Sequence, residues 1–400
     1  MSKILLFIGR PYTVFSDNLK YAFLSYVEHG TEFEPIYLTP NIQEYDLLRS
    51  ADLPVIHFEH EEDVADLSPS LGAVVSDSHD WRARPKLYES LAAVPFINLW
   101  HGLPLKKVGL NTLFDHPKIA DFELSATTSL MSAGIAAYVS TSAKLTEDIW
   151  KRSFHADDYP VLGYARNDVL FRDVKAHEEL NVDLNAFSYV MSMKDAGNKI
   201  VLCCPTFRES SQYSLNQLGY HLEQMNAFGE RHDISFLLKL HPIFPEADID
   251  LNLSRVKVID HKSDVYPILK YTDALVTDFS SIFFDYLLLN KPILFFTNDL
   301  QEYRSVDRGL SYRFEDVVCG PLCSNLEQLF SYLSDFGSLD SLEYQSIRCD
   351  LRDYVHEVQD MDSALRFARY IDARYGADSG ALLKESCEVP MHFRRTIAAE

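Results

Sequence analysis

The feature that most constrains this chain is a rhythm that occurs twice. Short apolar, β-branched runs at residues 3–8, 34–38, 73–76, 96–99 and 137–140 read as strands, with helical periodicity at 17–28 and 142–153. Asp17 is the expected N-cap of the first helix, and His29-Gly30 its stop. The rhythm restarts near residue 199. Strands are expected at 199–204, 234–240, 256–259, 274–277 and 293–296, with helices at 215–231, 265–271, 281–289 and 326–336. One long helical stretch at 344–375 precedes an irregular tail. Strands alternating with helices of this length imply parallel sheets with crossover helices. The expected class is α/β, with two doubly wound Rossmann-type domains facing across a cleft. The expected division is 1–185, 186–360, and a C-terminal helix and tail at 361–400, with the boundary in the charged, weakly periodic segment 171–198.

Charge narrows the function classes. Lys plus Arg is 37 against 59 Asp plus Glu, a net charge of −22. Non-specific nucleic-acid binding relies on basic residues neutralising phosphates, so nucleic acid is an unsuitable partner. An anionic substrate would require locally concentrated positive charge. The six cysteines form neither a disulfide ladder nor a zinc pattern, which fits a reducing cytosol. The N-terminus lacks the long apolar stretch of a signal peptide, and no run approaches the roughly 18 apolar residues that span a bilayer. The expected location is cytoplasmic, with any membrane-linked polymer reached peripherally from the inner face.

In open parallel sheets, ligands bind beyond the carboxyl ends of strands. Several unusual junctions fall there. The strand at 96–99 runs into Trp100-His101-Gly102, with Lys106 and Lys107 following. Histidine exchanges protons near neutral pH, and Gly102 allows close backbone approach. A loop histidine satisfied by backbone carries the same local signature. The strand at 234–240 delivers a second histidine, His241, just after Lys239. Two strand-end histidines in opposite halves are better evidence than one.

The strand at 274–277 ends in Thr277-Asp278-Phe279-Ser280-Ser281 and enters a helix. Free N–H groups and serine hydroxyls at such a helix start attract phosphate, although simple N-capping accounts for the motif equally well. Arg208 follows the strand at 199–204 and offers a bidentate phosphate clamp or a surface ion pair. Two further segments, Gly163–Asp168 with Arg166 and Asn167, and 299–304 with Arg304, read locally as turns near the cleft.

The ordered set resembles the CDP-glycerol glycerophosphotransferase family of teichoic-acid primases and polymerases and related capsule enzymes. The resemblance rests on Trp-His-Gly-x-Pro-Leu-Lys at 100–106, Gly-x-Ala-Arg-Asn-Asp at 163–168, Pro-Thr-x-Arg at 205–208 and Leu-His-Pro at 240–242. It continues with Asp-Phe-Ser-Ser-x-x-x-Asp at 278–285, Asn-Lys-Pro at 290–292 and Asp-Leu-x-x-Tyr-Arg at 299–304, while Gly9-Arg10 and Ser16-Asp17-Asn18 resemble a further element near the start. Ala165 stands where proline is usual, and Phe279 replaces a tyrosine.

The resemblance implies a GT-B-like architecture and transfer of glycerol phosphate, or ribitol phosphate, from a CDP-activated donor to an acceptor hydroxyl, releasing CMP. The acceptor would be a teichoic-acid-like or capsular polymer, primer or lipid-linked saccharide. It implies His101 and His241 as catalytic residues, with Ser280, Ser281 and Arg208 contacting the donor diphosphate; Thr277, Asp278 and Lys239, at the same strand ends, are expected to bind the donor with them. Gly102, Lys106, Arg166, Asn167 and Arg304 are expected to contact acceptor or phosphate. No tightly bound cofactor is expected, and Mg²⁺ is compatible with the donor diphosphate. Two other readings remain: a GT-B glycosyltransferase using a nucleotide sugar, and a non-catalytic nucleotide-binding subunit of a polymer-assembly complex.

Overall fold

A computed structural model describes residues 3–11, 14–113, 122–206, 215–240, 253–298 and 310–376. The first half contributes β1 (Lys3–Ile8), β2 (Phe33–Thr39), β3 (Val55–His57), β4 (Leu71–Ser76), β5 (Phe96–Asn98) and β6 (Ala137–Tyr138). The second contributes β7 (Lys199–Cys204), β8 (Ile234–Lys239), β9 (Val256–Ile259), β10 (Ala274–Thr277), β11 (Ile293–Phe296) and β12 (Leu322–Cys323). They form two six-stranded parallel sheets, ordered β3-β2-β1-β4-β5-β6 and β12-β11-β10-β7-β8-β9. The fold is GT-B-like, and each expected strand forms. The short edge strands β3 and β12 are additional: two or three residues give too little alternation to read.

The central strands are buried on both faces, as parallel sheets require. One continuous apolar core joins the halves. It includes Phe7, Val75 and Ile97 from the first sheet and Ile200, Leu202, Leu275 and Phe295 from the second. A second core, with Val201, Phe236 and Leu294, lies behind the second sheet.

Three expectations about helices change. The helix expected at 215–231 is Leu222–His232, with turns in front of it. Residues 344–375 form two helices, Leu342–Val355 and Ser363–Tyr375. Tertiary hydrogen bonds interrupt the pattern: Thr141 Oγ1 donates to the Val355 carbonyl, the Glu357 amide to the Thr141 carbonyl, and His356 Nε2 meets the Phe284 carbonyl at 2.9 Å. The chain thereby crosses back, and the last helix packs on the first helix, Asp17–His29. The Asp168 carboxylate accepts the Ser363 and Ala364 amides at 2.9 Å each and so caps that last helix. At the first helix, Ser16 is the N-cap and Asp17 the first helical residue, displaced to φ 65°.

Polar ties between the halves are buried. Arg166 Nη2 donates to Asp285 Oδ2 at 2.6 Å and Asn167 Nδ2 to Asp285 Oδ1 at 3.0 Å, while Tyr266, from the same half as Asp285, adds its hydroxyl to Oδ2 at 2.9 Å. Lys20 Nζ and Tyr21 Oη both reach Asp264 Oδ2, at 2.8 and 2.7 Å. Removing one partner of a buried pair strands the other charge. Asp285→Ala is therefore expected to lose roughly 3–5 kcal/mol of stability in urea unfolding. A loss below about 1 kcal/mol, the range of exposed pairs, would show that Asp285 does not bind the halves together.

Candidate functional site

The carboxyl ends of β5 and β10 meet. A Cβ placed on Gly102 would lie 2.8 Å from Ser281 Oγ, so the two loops approach closely enough that any side chain at 102 would have to displace that hydroxyl. The chain after Gly102 also bonds across the gap: Lys106 forms an antiparallel bridge with Leu310, and Ser311 donates its amide to the Leu105 carbonyl at 2.9 Å. The His-Gly and Asp-Phe-Ser-Ser segments thus face each other, as two strand-end motifs in opposing sheets should.

His101 is held tightly. Its Nδ1 lies 2.8 Å from the Asp77 carbonyl. A carbonyl only accepts, so Nδ1 carries the proton and the Nε2 lone pair is left to act as a base. The Trp100 ring stacks on the imidazole at 4.3 Å. Trp100 itself sits at φ 51°, a conformation sparsely populated by bulky residues. It is held there by Asn98 Oδ1, which accepts its amide at 2.8 Å, and by Asn18 Nδ2, which donates to its carbonyl at 2.9 Å. Burial, and then the charge of Arg10, push the His101 pKa down to about 4, opposed by the Asp77 carbonyl and Asp17. The ring is neutral at pH 7.

Around it lies a chain of alternating charge. Arg166 Nη1 donates to Asp17 Oδ1 at 2.5 Å and to the His101 carbonyl at 2.8 Å. Arg10 Nη2 donates to Asp17 Oδ2 at 3.1 Å, and its Nε lies 3.3 Å from Asp77 Oδ1. Burial alone would disfavour a charged Arg166, but Asp17 and Asp285 hold its pKa well above the usual value. Burial would likewise push Asp17 up, yet Arg166, Arg10 and His101 together hold it below the ordinary carboxylate value. Asp77 differs. Neither of its carboxyl oxygens makes a hydrogen bond, and burial raises its pKa to about 7 against the opposing charge of Arg10.

The other expected site residues divide. Ser280 and Ser281 are half-buried at the loop facing Gly102, and Ser280 Oγ accepts only a 3.5 Å contact from the Ile282 amide. The helix after them is a single short turn, Ile282–Tyr286, followed by a 3-10 turn. Thr277 is fully buried and donates to the Cys204 carbonyl. Asp278 is buried and accepts the Thr206 amide and hydroxyl at 2.9 and 2.5 Å, tying the Pro-Thr and Asp-Phe-Ser-Ser loops together. Arg166 and Asn167 are buried and committed to Asp285. Lys239 Nζ donates to the Asp260 and His261 carbonyls at 2.8 and 2.7 Å, and burial lowers its pKa to about 8. These groups shape the loops from inside. Phe279, standing where tyrosine is usual, turns into the core against Phe314. His241, Arg208 and Arg304 lie outside the described residues. Asp77 and Tyr266 escaped sequence reasoning. Asp77 was findable, since it follows an apolar strand just as His101 does.

A family model described as CDP-Glycerol:Poly(glycerophosphate) glycerophosphotransferase matches residues 2–373. The chain belongs to this family. Among relatives, a teichoic acid poly(glycerol phosphate) polymerase from Bacillus spizizenii is 28% identical over 243 residues, covering 58% of this chain and 59% of that protein. A teichoic acid poly(ribitol-phosphate) polymerase from the same species is 32% identical over 187 residues, covering 45% of this chain and 29% of that protein. The chain thus spans less than two thirds of either relative. A solved structure of the wall teichoic acid polymerase TagF matches with a TM-score of 0.69 at 20% identity, covering 97% of this chain and 90% of that one, which establishes the shared fold. In this glycerophosphotransferase-family chain, Ala165 is buried within the turn that carries Arg166, so the loss of proline leaves the turn intact.

The Asp77 carboxyl gives a pH signature. Its folded pKa is raised above the unfolded value, so its stabilising contribution is present when protonated and is lost as pH rises through about 7. The melting temperature of Asp77→Asn is therefore expected to gain on wild type between pH 6 and pH 8. A gap that stays constant across that window would mean that Asp77 does not titrate there.

Proposed function

We propose that this protein transfers a polyol phosphate, with glycerol phosphate the first choice and ribitol phosphate the second, from a CDP-activated donor to a hydroxyl of a teichoic-acid-like or capsular acceptor. CMP is the leaving group. The observation that carries the reading is the locked imidazole of His101, its Nε2 lone pair available beside the loop that presents Ser280 and Ser281.

The acceptor oxygen attacks the polyol-bearing phosphorus, and the bond from that phosphorus to CMP breaks. The acceptor proton passes to His101 Nε2. Such transfers depend mostly on positioning and charge stabilisation. Ser280 and Ser281 hold the diphosphate from the second half, with Arg208 and His241 as further ligands of the phosphate oxygens; the two histidines can exchange roles. The low proton affinity of His101 suits this chemistry, because the negative charge of a diphosphate beside the ring raises it. A Mg²⁺ ion accompanying the donor would be carried largely by phosphate oxygens, since Asp278 and Asp17 are already engaged by Thr206 and the arginines.

We place the reaction in the cytoplasm, at the inner membrane face when the acceptor is lipid-linked. Among the described residues, no helix is long and apolar enough to cross a membrane. The described cysteines are all free thiols, which suits a reducing compartment.

Thermal stabilisation by CDP-glycerol, CDP-ribitol, CMP and UDP-N-acetylglucosamine tests the donor class. A ligand at about 100 times its Kd adds roughly 2.7 kcal/mol to the native state. Selective stabilisation by a CDP-polyol is expected; stabilisation by the UDP-sugar alone would transfer the protein to the glycosyltransferases. His101→Ala is expected to bind donor normally and to lose about 10²–10⁴-fold in CMP release. Turnover within roughly tenfold of wild type would remove His101 as the base.

A further inference from the structure

We propose that Asp17 is a positioning residue for this reaction, holding the His101 turn in register with the donor loop and supplying the negative charge that supports His101 when it takes the acceptor proton. The proposal rests on the transfer reading above and gives a role to the Gly9-Arg10 and Ser16-Asp17-Asn18 segments.

The first observation is a local rule broken. A helix start is ordinarily capped by a side chain that accepts its free amides. Here Ser16 makes no side-chain cap bond, and Asp17, at φ 65°, offers the helix start one bond, Oδ1 accepting the Asn18 amide at 2.8 Å, while the same carboxylate also takes Arg166 and Arg10 from outside the helix. Strained backbone of this kind persists where the surroundings hold it, and it concentrates at functional sites. The side chain of Asp17 is 16% exposed, against 1% for Asp77 and 0% for Asp285. Of the three acids in the charge chain, it alone keeps an open edge.

The second observation is the connectivity. The Arg166 amino group that binds Asp17 also binds the His101 carbonyl, while its other amino group binds Asp285 across the cleft. Asn18 completes the grip, donating to the Trp100 carbonyl and accepting the Arg166 amide at 3.3 Å. The turn bearing the base is thereby fixed to residues 17–18 and, through Arg166, to the helix behind Ser280 and Ser281.

The third is charge. The groups facing His101 are Arg10 from the end of β1, Asp17 from the first helix, Arg166 from the 165–170 turn, and Asp77 and His79 beyond β4. Arg10 and Arg166 oppose an imidazolium, and Asp17 is the carboxylate that offsets them. Without it, a proton arriving on Nε2 would face two guanidinium groups. The role parallels in principle that of a buried acid behind a general base, acting here through space and through Arg166 rather than by a direct bond.

The test compares Asp17→Asn with wild type. Donor-induced stabilisation by CDP-glycerol should remain, kcat for CMP release should fall by less than the roughly 10²–10⁴-fold lost with the base itself, and the acidic limb of the kcat/KM profile should move to lower pH. The substitution should cost nothing further in a His101→Ala background, because Asp17 acts through His101. An unmoved limb, or an equal loss with and without His101, would overturn the proposal. Should Asp17→Asn not fold, Asp17→Glu carries the test: it keeps the charge and shifts its position, so the limb should stay while kcat falls, and an unchanged kcat would overturn it. If wild type releases no CMP, the transfer reading fails separately. The imidazole titration of His101, followed by NMR without any turnover, still decides the electrostatic claim, with a lower pKa in Asp17→Asn expected and an unchanged one overturning it.

Discussion

The guanidinium of Arg166 is the fixed point of this molecule. One amino group serves Asp17 and the backbone of His101; the other serves Asp285 in the opposite half. Tyr164 and Tyr266 flank it at 5.1 and 4.8 Å. A charge this deeply buried is tolerated when carboxylates and carbonyls meet it from several sides, as they meet both amino groups here while Nε is left without an acceptor. Those sides are the two halves of the protein, so this side chain helps to set their relative placement, together with the shared apolar core and the Lys20–Asp264 pair. A bidentate, planar fork does this where a lysine ammonium would not.

That placement explains why several motif residues prove to be architectural. Asp278 binds Thr206 and joins two loops of the second half; Asp168 caps the helix that returns to the first; Asn167 shares Asp285 with Arg166. Among the described residues, His101, Ser280 and Ser281 are the motif side chains left at the facing loops. A motif in this chain is therefore a mixture of chemistry and the scaffolding that aims it. The aromatic bed beneath the site continues the theme. Trp100 stacks on His101 and packs against Phe154, which in turn stacks on Tyr138 and His79, so the imidazole rests on rigid rings.

The strand-end argument led to His101, Ser280 and Ser281 because it is local: an apolar parallel strand dictates where its next residues emerge. The same logic, applied to 71–76, would have reached Asp77. Arg166 and Asn167 read as ligand contacts in the sequence, since their polarity is visible there and their burial is not. Asp17 read as a plain N-cap. Its carboxylate does accept the neighbouring Asn18 amide, but it also serves residues 7 and 149 positions away, beyond what local pattern carries.

By itself the sequence determined the two parallel sheets, the order of their central strands along the chain, and the loops that open at the carboxyl ends of those strands, because these follow from short-range periodicity and turn propensity. Only the tertiary structure decided which polar residues face a ligand and which hold the frame. It also decided that one helical stretch becomes two, where Thr141 and Asp168 claim backbone groups from residues 355–364 and the Phe284 carbonyl holds the His356 ring. The physical reason is common to both outcomes. A polar group's role depends on the partner that completes its hydrogen bonds, and for Arg166 and Asp285 that partner stands 119 residues along the chain.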